Sequence, residues 1–189
     1  MNLPNKLTIF RIVLIPVFIF FLLSTYIPHN SLIALLVFSI ASFTDFLDGY
    51  LARKNNQVTD FGKLMDPLAD KVLVTSALVC FVELGLSYSV AVLIIIARDL
   101  LVTSMRLVAA GGGKVLAAGI SGKIKTAGQM IAIIATMLLC EVEYLGLWPE
   151  SFLSIEIVSH VIMWGVAAFT LLSGIDYLMK YKSYINTDK

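Results

Sequence analysis

Apolar residues fall along this chain in six long runs, at about 7–27, 32–53, 67–86, 89–109, 122–140 and 157–179. Each run is close to the roughly 20 helical residues that cross the ~30 Å hydrocarbon core of a bilayer. A membrane strand would show apolar and polar positions alternating in short segments, whereas these runs are long and apolar on all sides. Helices are expected, because a helix satisfies its backbone polar groups within its own segment. The pattern predicts an all-α fold, an integral membrane bundle of six transmembrane helices forming one domain over 1–189. The first run is too long for the apolar part of a signal peptide, and no small-residue cleavage site follows it, so it is expected to remain as the first span.

Composition agrees. Hydrophobic residues make up 59% of the chain and charged residues 14%, where a soluble domain carries about 25% charged residues. So much apolar surface exceeds what a core of this size can hide, and membrane lipids are its expected surroundings. The two cysteines, Cys80 and Cys140, lie inside runs with no disulfide or zinc spacing, and read as small apolar packing residues. His29 and His160 read as incidental. Trp148 with Pro149 at one boundary, and Tyr177, Tyr181 and Tyr184 at the other, read as interface markers.

The links between runs give the orientation. Lys6 and Arg11 stand at the start of the first run, and Arg53, Lys54 and Lys63 in the 53–66 link. Arg106, Lys114, Lys123 and Lys125 follow in the 106–125 stretch, and Lys180, Lys182 and Lys189 in the tail. The intervening links carry no Lys or Arg, and the 141–156 link holds Glu141, Glu143, Glu150 and Glu156 instead. Positive links alternate with non-positive ones, which places both termini in the cytoplasm of a multi-pass protein of the cell (plasma) membrane.

Four aspartates interrupt the apolar pattern at the cytoplasmic ends of the second and third runs. Asp45 and Asp48 are three residues apart and share a helix face, with Gly49 and Ala52 on the same face. Asp66 and Asp70, four apart, share a face of the next helix, with Asp66 as its cap and Pro67 at its first position. Small residues beside the acids leave room for a bulky ligand. Four converging carboxylates repel one another at low dielectric unless protonated or neutralised by cations. Hard oxygen ligands suit Mg²⁺, Mn²⁺ or Ca²⁺. From spacing alone three readings stand: metal-dependent phosphoryl chemistry, an ion pathway through a transporter, and structural pairs such as Asp48 with Arg53 or Asp70 with Lys71.

The stretch from Asp45 to Asp70 resembles the signature of the CDP-alcohol phosphotransferases, D-x2-D-G-x2-A-R-x8-G-x3-D-x3-D. Asp45, Asp48, Gly49, Ala52, Arg53, Gly62, Asp66 and Asp70 fill every fixed position within 26 residues, and the six-helix pattern extends the likeness over nearly the whole chain. The resemblance implies that Asp45, Asp48, Asp66 and Asp70 hold two metal ions, Mg²⁺ or Mn²⁺. It implies that Asp70 is also the catalytic base on the acceptor hydroxyl, and that Gly49, Ala52, Arg53 and Gly62 line the CDP site. Asn5 and Thr8 are further candidates for the nucleotide site, with helix capping as the alternative. The resemblance also implies CDP-diacylglycerol as donor and a homodimeric assembly. No nucleic-acid partner is expected.

A second charged cluster bears on the acceptor. Arg98 and Asp99 lie well inside the fourth run, Arg106 falls eight residues on and roughly on the same face, and Lys123 and Lys125 open the fifth. Such cations beside a metal site suit an acceptor that carries a phosphate, and Arg98, Arg106, Lys123 and Lys125 are the candidate ligands. Structural readings stand beside these: Arg98 with Asp99 as a buried pair, and the two lysines as positive-inside charges. The stretches around Asn2–Arg11, Asp66–Lys71, Ala97-Arg98, Arg106-Leu107, Gly122–Thr126 and Leu172–Tyr177 are similar to the bacterial phosphatidylglycerophosphate synthase branch of the family. Two departures are Asp99, where that branch would have glutamate, and the triple glycine Gly111–Gly113. The branch implies glycerol 3-phosphate as acceptor. Inositol phosphate, serine and phosphatidylglycerol remain alternatives.

Overall fold

A computed structural model describes residues 3–54, 60–111, 120–149 and 153–181, with the backbone alone described at 3–5, 45–54, 60–64, 66–67, 110–111 and 120. Six α-helices account for nearly all of it: α1 Leu3–Leu23, α2 Asn30–Lys54, α3 Asp60–Glu83, α4 Ser89–Gly111, α5 Ile120–Tyr144 and α6 Ile155–Lys180. No strand occurs among the described residues. Among the described residues, three segments are long and apolar enough to cross a membrane, Lys6–Leu23, Ser121–Tyr144 and Ile155–Lys180, and Asn30–Thr44 is a shorter apolar helix.

Two boundaries differ from the hydropathy pattern. The first run was expected to reach residue 27, but α1 ends at Leu23. Pro28 disfavours a helical conformation at the residue before it, and the chain turns over 24–29 instead. In the other direction, α3 begins at Asp60, so Asp66 and Pro67 lie inside the helix and not at its cap and first position. Hydropathy marks where lipid contact starts, whereas a helix can extend beyond it into polar surroundings.

Three links gather at one end of the bundle. Gly85 and Gly146 adopt positive φ, 72° and 66°, where a side chain would be strained. They close α3 and α5 with paired bonds: Leu86 N donates to Phe81 O at 2.8 Å and Gly85 N to Val82 O at 3.1 Å, as Leu147 N does to Val142 O and Gly146 N to Glu143 O. At α6, Ser154 caps the helix by accepting from Ile157 N, with Glu156 in the first turn.

The histidines at this end are not incidental. His29, in a left-handed conformation at φ 55°, pairs with the buried carboxylate of Glu141 and packs edge-on against Tyr144. His160 stacks on Tyr88 at 4.2 Å. These contacts tie the α1–α2 link to the end of α5 and the α3–α4 link to the start of α6.

The core lies between the helices. Phe18, Phe38, Leu73, Phe81, Ile95, Ile133, Met137 and Met163 are fully buried, while Phe20, Leu36, Leu93, Ile131, Val161 and Leu172 point outward. Helix α1 packs along α2 and α3, and α6 packs along α4 and α5. Outward apolar side chains on α1, α2, α4, α5 and α6 alike suit lipid on the outside of the bundle. Cys80 and Cys140 are free thiols packed in or against this core.

Candidate active site

Away from the linked end, α3, α4 and α5 open a cleft of about 920 Å³. Helix α3 contributes Asp70 and Lys71, α4 contributes Arg98, Asp99, Thr103 and Arg106, and α5 contributes Lys123, Lys125, Thr126 and Gln129. On α4, Asp99, Thr103 and Arg106 follow at four and three residues, and on α5 Lys125 and Gln129 are four apart, spacings that turn them toward the same space. All four cations expected to hold an acceptor phosphate therefore line the same cavity as Asp70.

Asp99 is the hub of the cleft. Lys125 Nζ donates to both of its carboxylate oxygens at 2.6 Å. Arg98 reaches Oδ1 at 3.2 Å. The backbone carbonyl of Asp99 accepts from Lys71 Nζ at 3.0 Å and from the Thr103 hydroxyl at 2.7 Å, and Lys71 also donates to Thr103. Lys125 completes its set of three donors by bonding Gln129 Oε1. Lys125 is buried and its three donors go to Asp99 and Gln129, so in this arrangement it positions both groups. Lys123, by contrast, is exposed.

Helix α6 forms the wall behind the arginines. Arg98 donates to Ser173 Oγ at 2.8 Å. At Gly174 an added Cβ would stand 2.8 Å from Arg98 Cγ, so only glycine admits this approach. The Arg106 guanidinium lies 5.5 Å from the ring centre of Tyr177, which is buried and packed at a tilt against Tyr181. Tyr177 is thus a support for Arg106, not the interface marker expected from the sequence. Asp176 accepts from Ser121 Oγ at 3.0 Å, joining α6 to the start of α5. Three buried donors in the cleft, Arg98 Nε, Arg106 Nε and Gln129 Nε2, have no hydrogen-bond partner among the described residues. Unmatched donors beside five cations and two carboxylates give the cleft a lining that suits an anion.

The other expected site residues lie on α1, α2 and the start of α3. Asp45, Asp48, Gly49, Ala52 and Arg53 fall on α2 and Gly62 and Asp66 on α3, two helices in contact, but their side chains lie outside the described residues, as does that of Asn5. Thr8 is buried on α1. One turn on, Arg11 is also fully buried and donates from Nε to Ala41 O at 3.2 Å. The same carbonyl accepts from Thr44 Oγ1 at 2.7 Å. Arg11, counted from the sequence only as a positive charge, therefore anchors α1 to α2 one turn before Asp45.

Residues 1–172 match the family model described as CDP-alcohol phosphatidyltransferase. The chain belongs to this family. Among curated CDP-alcohol phosphatidyltransferase relatives, one from Bacillus subtilis (strain 168) is 42% identical over 194 residues, covering 95% of this chain and 94% of its own length. One from Rickettsia felis is 38% identical over 186 residues, covering 97% of each chain. One from Haemophilus influenzae is 37% identical over 187 residues, covering 96% of this chain and 94% of its own. All three are named CDP-diacylglycerol–glycerol-3-phosphate 3-phosphatidyltransferase.

Sequence reasoning about this CDP-alcohol phosphatidyltransferase missed Lys71, Thr103 and Gln129 as parts of the cleft, and Ser173, Gly174 and Tyr177 as its supports. A signal existed for Gln129, a lone amide in an otherwise apolar stretch of α5. For Gly174 the signal was the family likeness of the Leu172–Tyr177 stretch, which says nothing of the contact with Arg98, since that depends on which helix packs against α6.

Proposed function

We propose that this enzyme transfers the phosphatidyl group of CDP-diacylglycerol to glycerol 3-phosphate, giving phosphatidylglycerophosphate and CMP. The observation that carries the reading is the shared cleft: the carboxylate of Asp70 and the guanidinium groups of Arg98 and Arg106 line one space. A phosphorylated acceptor held by the arginines and Lys123 presents its free primary hydroxyl to Asp70. The hydroxyl oxygen attacks the phosphorus that bears diacylglycerol, and its proton passes to Asp70 as general base. The bond from that phosphorus to the bridging oxygen breaks, and CMP leaves with that oxygen. The names carried by the relatives point to the same donor and acceptor.

The donor set suits a hard divalent cation. Asp45, Asp48, Asp66 and Asp70 offer only carboxylate oxygens, on two helices in contact. In this reading they hold Mg²⁺ or Mn²⁺, two ions, which when bound offset the charge of the carboxylates and of the donor diphosphate. Gly49, Ala52, Arg53 and Gly62 line the CDP site, with Asn5 and Thr8 at its edge.

The same reading takes all six helices as spans, with both termini and the cleft on the cytoplasmic side of the cell membrane, because the Lys and Arg residues gather at that end. It takes residues 1–189 as a single domain and the enzyme as a homodimer.

The test is CMP release by the purified protein in detergent with CDP-diacylglycerol and Mg²⁺. Glycerol 3-phosphate, inositol phosphate, serine and phosphatidylglycerol are offered separately. Release with glycerol 3-phosphate alone is the expected result, and release only with another of the four overturns the acceptor assignment.

A further inference from the structure

Gln129 stands one turn beyond Lys125 on α5 and is 3% exposed, yet it lines the cleft. Its amide orientation is fixed by chemistry: Lys125 has only donors, so the atom that meets it must be the amide oxygen. Lys125 is itself held by both oxygens of Asp99. The amide nitrogen therefore faces away from Lys125, and it has no partner among the described residues. A buried amide donor without a partner is unfavourable, and a ligand that accepts from it removes that penalty.

The neighbouring charges narrow what that ligand group is. Arg98, Arg106 and Lys123 already offer charged donors, which bind phosphate oxygens more strongly than a neutral amide does. The amide suits an uncharged oxygen. Gln129 also lies deep, about 9 Å further along the α5 axis than Lys123, at 1.5 Å per residue. Arg106 is five residues from the end of α4. A phosphate met by Arg106 and Lys123 near the mouth thus points the rest of its acceptor inward, toward the amide.

We propose that Gln129 reads the non-reacting hydroxyl of a phosphorylated polyol acceptor, and so sets acceptor specificity. This rests on the proposed function, in which that acceptor is glycerol 3-phosphate and the hydroxyl is the one on its middle carbon. Lys125 and Asp99 then act as positioning residues that keep the amide the right way round. A site built to bond a hydroxyl discriminates against an analogue lacking it far more strongly than an apolar pocket does.

The experiment compares glycerol 3-phosphate with 3-hydroxypropyl phosphate, which keeps the phosphate and the reacting hydroxyl but lacks the middle one. Wild type is expected to favour glycerol 3-phosphate by on the order of 100-fold in kcat/KM. In Gln129→Leu this ratio collapses to within about 3-fold. Gln129→Glu keeps an oxygen for Lys125 and offers a second that accepts from the middle hydroxyl in place of the amide donor, so it retains the packing and is expected to keep a preference well above that of Gln129→Leu. A ratio near one in wild type overturns the proposal, as does a wild-type ratio that persists in Gln129→Leu while both rates fall, which would make Gln129 a support for Lys125 alone. Release of CMP by wild type with inositol phosphate, serine or phosphatidylglycerol but with neither of these two acceptors sinks the proposed function, and this inference with it.

Discussion

Gly174 on α6 meets Arg98 on α4 so closely that a single added Cβ would lie 2.8 Å from Arg98 Cγ. The contact is with the stem of the arginine, near its backbone, where little give is available. Gly174→Ala is expected to push the guanidinium away from Ser173 and Asp99, at a cost of about 1–3 kcal/mol from overpacking. Steady-state assays should show kcat/KM for glycerol 3-phosphate falling by about 10-fold or more, with the KM for CDP-diacylglycerol much less affected. Wild-type kinetics in this variant would mean that Arg98 does not bind the acceptor.

Asp99 carries two cations on its carboxylate and a third on its carbonyl. Asp99→Asn leaves Lys125 buried beside a neutral amide, and breaking a buried pair on one side costs about 3 kcal/mol or more. A fall in the melting temperature in detergent is expected, together with a weakened preference for glycerol 3-phosphate over its deoxy analogue. Asp99→Glu restores the charge on a side chain one methylene longer. It should recover most of the lost stability.

Tyr177 supports Arg106 with its ring while its hydroxyl is buried without a partner among the described residues. Tyr177→Phe therefore keeps what matters and is expected to be neutral or slightly stabilising. Tyr177→Ala removes the ring, with an expected loss of about 3 kcal/mol and a raised KM for glycerol 3-phosphate. Thermal unfolding and acceptor titrations on the two variants separate the ring from the hydroxyl.

Asp70→Asn tests the base. The amide is nearly the same shape but accepts no proton, so CMP release should fall by about 10²–10⁴-fold while size-exclusion behaviour stays that of wild type. Full turnover in this variant would remove Asp70 from proton transfer.

The helices were legible in the hydrophobic runs because six segments apolar on all sides leave few other ways to fold. The start of α3 was not, since the polar stretch from Asp60 carries the helix past the point where apolar residues begin. Arg98, Arg106 and Lys123 were traceable to one site with Asp70 because charges deep in apolar helices and near their ends stand out. Arg11 belonged to the same class of signal, yet counting it with loop charges hid its bond to Ala41. Tyr177, Gly174 and His29 depend on contacts between helices far apart in sequence. Nothing local distinguishes a tyrosine under an arginine from one at a lipid boundary.

Ser173 meets Arg98 across a separation of 75 residues. At about 5–20 residues per second, a ribosome takes roughly 4–15 s to travel from one to the other. Throughout that interval α4 and its two arginines exist without the helix that backs them. Until α6 has been made, Arg98 lacks the hydroxyl that receives it and Arg106 the ring beneath it.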